Sequence, residues 1–176
     1  MTDKSPIIMW FRRDLRLGDH PALTEACNSG RPVIPLFIHD DVVAGQGAAP
    51  RFRLGLSVAS LRDALADKGA KLILRRGDAL SVLRDVIKET GAGAVYWSRL
   101  YDPISKARDT AVKAGLKDDG IDAVSFRGHL LFEPWSVETQ TGGFYKVYTP
   151  MWKSVRSREL PNTLPAPGKI PAPDSW

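Results

Sequence analysis

Three arginines and an aspartate, Arg12, Arg13, Asp14 and Arg16, follow directly on the apolar run Ile7-Ile8-Met9-Trp10-Phe11. Guanidinium groups grip carboxylates and phosphates through a rigid fork of N–H donors, so the cluster suits an anionic ligand or a set of ion pairs. A strand that empties into it places the cluster at its carboxyl end, the edge where open α/β sheets bind ligands. Aromatic surface is available from Trp10, Phe37, Trp97 and Tyr101. Pockets of that kind take flat, partly apolar ligands held by a few polar anchors. Arg13, Arg53 and Asp102 are the candidate anchors, and His39 is a candidate to face the same crevice. The plainer alternative is that Arg12, Arg13 and Arg16 pair with Asp14, Asp19 or Asp40 to hold loops, with Trp10 and Trp97 as core.

Signatures of bond-making chemistry are missing. The chain shows no P-loop, no Gly-x-Gly-x-x-Gly opening a helix, no zinc-ligand spacing and no Ser/His/Asp arrangement. No catalytic residue and no metal ligand is therefore assigned. His20, His39 and His129 lie far apart, and His20 and His129 are read as structural. A second basic segment, Gly142-Gly143-Phe144-Tyr145-Lys146-Val147-Tyr148-Thr149-Pro150-Met151-Trp152-Lys153, interleaves rings with lysines. Lys146 and Lys153 can meet the phosphates of a nucleic acid. The preferred reading is that Phe144, Tyr145, Tyr148 and Trp152 glue the segment to its own domain or to a following one.

The elements that must position these groups alternate. Ile7–Phe11, Pro32–Asp40, Lys71–Arg76, Ala94–Ser98 and Asp122–Phe126 read as strands, the second being apolar almost throughout, as a strand buried on both faces must be. Asp19 is the expected N-cap of a helix over Asp19–Ser29, with Pro21 in its first turn and Gly30 as its stop. A small-residue loop, Ala44–Pro50, precedes a helix carrying Leu54, Val58, Leu61 and Leu65 on one stripe. Leu80, Leu83, Val86 and Ile87 mark another helix, and a charged one runs from about Ser105 to Leu116. The sum is an α/β fold: a Rossmann-like, doubly wound, five-stranded parallel sheet, order 3-2-1-4-5, with helices on both faces. Its switch-point crevice lies between strands one and four, lined by Phe11–Asp14 and Trp97–Asp102. Residues 1–130 form that domain and 131–160 an irregular exit segment with a short helix near Pro150–Ser157. Residues 161–176 are proline-rich, extended and unable to build a core, an interdomain linker in composition.

With 176 residues, 43% apolar and 26% charged, the chain can bury a core of its own. A single cysteine, Cys27, excludes an internal disulfide and fits a reducing compartment. The Met1–Pro6 stretch is not a secretory signal and no stretch reaches the roughly 18 apolar residues of a membrane span, so a cytoplasmic location without membrane partners is expected. The net charge of +5 favours polyanions modestly, since most basic residues sit beside acids.

Trp10-Phe11-Arg12-Arg13-Asp14-Leu15-Arg16, continued by Leu17-Gly18-Asp19-His20-Pro21-Ala22-Leu23, resembles the opening of the DNA photolyase/cryptochrome family, most like a class I cyclobutane pyrimidine dimer photolyase. Gly77-Asp78, Tyr101-Asp102-Pro103 and the Gly142–Lys153 segment are similar to the same family, so the likeness covers Ile7 to Ser157. The resemblance implies the N-terminal antenna-chromophore domain of a light-driven DNA-repair lyase, or of a blue-light photoreceptor sharing that domain. It also implies that FAD, the lesion-binding cavity and repair chemistry belong to a helical C-terminal domain, so that this fragment alone is inactive on damaged DNA. Folate-binding members carry Asn-Glu where this chain has Ile104-Ser105, and deazaflavin-binding members carry Asp at the position of Leu100. Arg13, Phe37, Arg53 and Asp102 match or nearly match residues around the flavin-like antenna pocket. A flavin, deazaflavin or lumazine is thus favoured over methenyltetrahydrofolate. An unrelated nucleotide-binding α/β module is the remaining alternative.

Overall fold

The computed structural model describes residues 4–173; Met1-Thr2-Asp3 of the expected non-signal N-terminus, and the last residues of the proline-rich tail, lie outside them. Five strands run β1 (Ile7–Phe11), β2 (Val33–His39), β3 (Ile73–Arg76), β4 (Ala94–Ser98) and β5 (Asp122–Phe126). They form one sheet in the order β3-β2-β1-β4-β5, every pair parallel, as the alternating pattern predicts. The helices are α1 (Pro21–Asn28), α2 (Asp41–Ala44), α3 (Ala48–Ala66), α4 (Ala79–Thr90), α5 (Pro103–Asp118) and α6 (Tyr148–Val155).

Strand alternation assigns the two cores. On the central strand, Ile7, Met9 and Phe11 point to one face, where Ala22, Leu23 and Ala26 of α1 and Leu61 and Leu65 of α3 meet them. Ile8 and Trp10 point to the other, against Leu83 and Val86 of α4 and Val112 and Leu116 of α5. All five β1 residues are fully buried, so its continuous apolar run is the cost of being covered twice.

Three local expectations need correction. The cap of α1 is His20, whose Nδ1 accepts the Leu23 N–H at 3.2 Å; Asp19 instead adopts φ +46° and gives its own N–H to Leu164. The Ala44–Pro50 loop is shorter than its composition suggests: Asp40 Oδ1 accepts from Val43 N and starts the short α2, and α3 begins already at Ala48. The proline-rich tail is extended but does not leave the domain. Leu164 and Pro171 offer carbonyls to the Asp19 and Val33 N–H groups, and Ile170 is fully buried in the α1/α3 core. An isolated isoleucine among prolines carries no periodic signal, and its burial depends on a groove that appears only once the sheet has formed.

Candidate functional site

Strands β1 and β4 are neighbours, so the switch point lies where the sequence puts it. The crevice there is filled. Arg12 turns inward with its side chain 5% exposed and meets both carboxylate oxygens of Asp109 on α5 at 2.8 Å, and it also donates to the Ser98 carbonyl. Arg108, beside Asp109, reaches Asp40 at 2.7 Å and Asp109 at 2.8 Å. The two guanidinium groups lie 4.5 and 4.9 Å from the Trp10 ring centre, and Trp10 packs edge-on to Trp97. What remains between Arg12, Leu100 and Arg108 is a gap of about 20 Å³, too small for a dye. The expected pairings are thus partly redirected. Arg12 gives its backbone N–H to Asp14 but its charge to Asp109, and Arg16 donates to the Asp19 and Gly128 carbonyls.

Asp14 faces His20 instead, Oδ2 to Nε2 at 3.0 Å, with both side chains sealed from solvent. Burial alone would raise the Asp14 carboxyl. The contact with His20 and the Arg12 N–H outweigh that and hold it well below the usual carboxylate range.

Open volume lies beside the switch point, on both flanks of the first half of α3. Leu54, Val58, Leu61 and Leu65 do share one stripe, but only Leu61 and Leu65 are fully in the core, while Leu54 and Val58 pack partly buried against its edge. One flank is an open hollow of about 690 Å³ walled by Arg13, Arg16, Gln46, Arg53 and Leu54. The other, about 320 Å³, is lined by Phe37, His39, Val43, Leu54 and Arg75. The expected anchors are therefore divided: Arg13 and Arg53 stand at the first hollow, Phe37 and His39 at the second, with Leu54 between them. Asp102 lines neither, but its Oδ2 accepts from Arg13 at 3.1 Å and holds that guanidinium in place. The same carboxylate caps α5 through the Ser105 N–H, and that bond first, then the Arg13 charge, keeps its pKa lowered. His39 Nδ1 is buried and has no partner among the described residues.

Lys146 and Lys153 are exposed. Phe144, Tyr148 and Trp152 are exposed as well, Tyr148 and Trp152 stacking at 6.4 Å, so these rings do not glue the segment to its own domain. Asp109 and Arg108 were not among the candidates. They sit in a stretch that reads as a solvated helix, 97 residues from Arg12, and nothing local marks them as the counter-charge to β1.

An all-parallel, doubly wound sheet with arginine-edged hollows beside its second crossover makes this a Rossmann-like α/β domain. A family model described as DNA photolyase matches residues 7–171, and the chain belongs to that family. It is 44% identical to a deoxyribodipyrimidine photo-lyase of Agrobacterium fabrum over 98% of this chain and 36% of that one. It is 36% identical to cryptochrome-2 of Arabidopsis thaliana over 96% of this chain and 28% of that one. A solved bacterial class III photolyase from Agrobacterium tumefaciens superposes with TM-score 0.93 at 42% identity, covering 99% of this chain and 36% of that one. That relative is of class III, where the opening motif suggested class I. The chain thus spans about a third of the length of these relatives. No helix among the described residues is long and apolar enough to cross a membrane.

Proposed function

We propose that this chain is the antenna-chromophore domain of a deoxyribodipyrimidine photolyase, working with an FAD-binding helical C-terminal domain on pyrimidine dimers in DNA. The family binds an antenna chromophore and FAD. The observation that carries the proposal is the larger hollow beside α3, with Arg13 braced by Asp102 and Arg53 also in its wall. Such a seat fits a flat dye with an anionic substituent: guanidinium groups meet the charge and the Leu15 and Leu54 surfaces meet the ring. When bound, the dye supplies light absorption and energy transfer. The protein's own part is to hold it rigidly and screen it from water. Nothing in that task needs acid–base chemistry.

A flavin, deazaflavin or lumazine is favoured over methenyltetrahydrofolate, because the Arg13, Phe37, Arg53 and Asp102 set is present while Ile104 and Ser105 replace an Asn-Glu pair. Titrating the purified chain with each dye, read by dye absorbance and emission, tests this. Binding of a flavin-like dye that weakens about tenfold in Arg53→Ala is expected; tighter binding of the folate would reverse the ranking. The fragment alone is inactive in repair, and light-dependent dimer cleavage by it would overturn that. Cytoplasmic location and contact of Lys146 and Lys153 with DNA phosphates belong to the same proposal. The similarity to cryptochrome-2 supports a second reading, a blue-light photoreceptor. Dimer repair by the longer protein separates the two.

A further inference from the structure

A third hollow lies on the opposite face of the sheet and shares no lining residue with the two hollows beside α3. It measures about 330 Å³ and opens between α5 and the turn Pro134–Ser136. Trp97 and Leu100 form its floor, and Tyr101 and Trp135 its aromatic walls. Glu133 ties the turn to β4: its two oxygens accept from Arg99 at 2.9 Å and from the Tyr101 hydroxyl at 2.8 Å. Arg99 lies 5.5 Å over Trp135 and donates to the Ser125 carbonyl, so the Trp135 ring is held from one side while the residue stays 60% exposed. An aromatic face fixed in this way is ready to stack, since its orientation is set before a partner arrives.

The charges around the hollow are unequal. Asp109 is consumed by Arg12 and Arg108, and Glu133 by Arg99. The ammonium groups of Lys106 and Lys113, also in the lining, make no ion pair or hydrogen bond among the described residues. Seven residues apart on α5, they share one helix face about 10 Å apart along the axis, with Thr110 between them. Two unpaired ammonium groups beside an aromatic slot call for an anion attached to a ring.

We infer that this hollow is a second ligand site, for a mononucleotide-class molecule: a flat heteroaromatic base stacked on Trp135 with its phosphate between Lys106 and Lys113. The volume matches a small ligand of that size. Because the site shares no lining residue with the α3 hollows, it stands or falls apart from the antenna proposal.

Calorimetric titration of the 176-residue chain with adenosine 5′-monophosphate, adenosine and inorganic phosphate tests the inference. The nucleotide is expected to bind in about the millimolar range or tighter, and each half-ligand about tenfold more weakly. Trp135→Ala and the double variant Lys106→Gln/Lys113→Gln should each lose about tenfold in affinity. Arg53→Ala, which is expected to weaken dye binding at the α3 hollow, should leave nucleotide affinity at this hollow unaltered. All four substituted positions, Arg53, Lys106, Lys113 and Trp135, are exposed, and thermal melts confirm that the variants fold. No heat with the nucleotide, equal binding of adenosine, indifference to Trp135→Ala, or loss in Arg53→Ala would each overturn the site.

Discussion

Replacing Asp109 by alanine is the sharpest test of how the switch point is built. Arg12 is then left with its guanidinium 5% exposed, its carboxylate partner gone, and a second cation, Arg108, also beside Trp10. Burial already pulls the Arg12 pKa down, and Asp109 is the main influence opposing that. Removing one member of a buried pair costs about 3–5 kcal/mol, because the remaining charge has lost its water without compensation. That is a large part of the roughly 5–15 kcal/mol available to a domain. For a domain of this size it corresponds to a melting point lowered by roughly 6–20 °C. Thermal and urea melts followed by circular dichroism read it directly. The exposed pair Arg62–Asp63, at 61% and 67% exposure, serves as the control, and Asp63→Ala should leave the melt within error. The double change Arg12→Met with Asp109→Leu should recover most of the loss, since it removes the stranded charge. A drop below about 1 kcal/mol in Asp109→Ala would show that water or the Ser98 carbonyl satisfies Arg12 unaided, and the ionic plug would not be structural.

Other outcomes follow from the same contacts. The Asp14 carboxyl is depressed in the folded state, so its contribution is fully present above the unfolded value near pH 4 and is lost as pH falls below it. Asp14→Asn should flatten the acid limb of a stability-versus-pH curve, and an unchanged limb would refute the assignment. His129 has its pKa lowered by burial, so the unfolded chain takes up a proton first and stability falls as pH drops below about 6.5; His129→Gln should remove that slope in urea melts. Ile170→Ala deletes a side chain that is fully buried in the α1/α3 core, and a loss of about 2–5 kcal/mol is expected by the same melts. Arg13→Ala frees Asp102 and removes one wall of the larger α3 hollow, so flavin-like dye binding should weaken about tenfold while the melt barely moves, the pair being half exposed.

The sheet was legible because its signals are local. Each strand is a short apolar run bounded by Gly, Pro or Asp, and right-handed crossovers leave few ways to order five parallel strands. Leu61 and Leu65 were readable as core from their spacing, but Leu54 and Val58 belong to the same stripe and are only partly buried. Periodicity gives a face, not the depth of each residue along it, and Leu54 lines both hollows. Asp19 is the expected cap of α1, but the cap is the neighbouring His20, which also contacts Asp14, a residue that no local pattern links to a helix start. The Arg12–Asp109 pair crosses 97 residues of sequence, and only the docking of α5 over β1 brings its members together.

That pairing also explains why the candidate seat is displaced from the switch point. A strand buried on both faces that ends in Arg12 must meet that charge at once, because the flanking layers exclude water. Asp109 and Arg108 of α5 and Asp40 after β2 close the ring, and in doing so they fill the space that a doubly wound sheet usually leaves for a ligand. Arg13, the next residue, has the opposite strand parity and emerges into solvent, where Asp102 steadies it at 3.1 Å. Two consecutive arginines just past β1 thus take separate roles: one seals the switch point, and the other faces the hollow beside α3. Exchanging their surroundings is not open to the chain. A one-residue insertion in β1 would carry Arg12 into the exposed place of Arg13 and leave Asp109 without its partner. Dye binding and melting point should then fail together, whereas in Arg13→Ala only dye binding is lost.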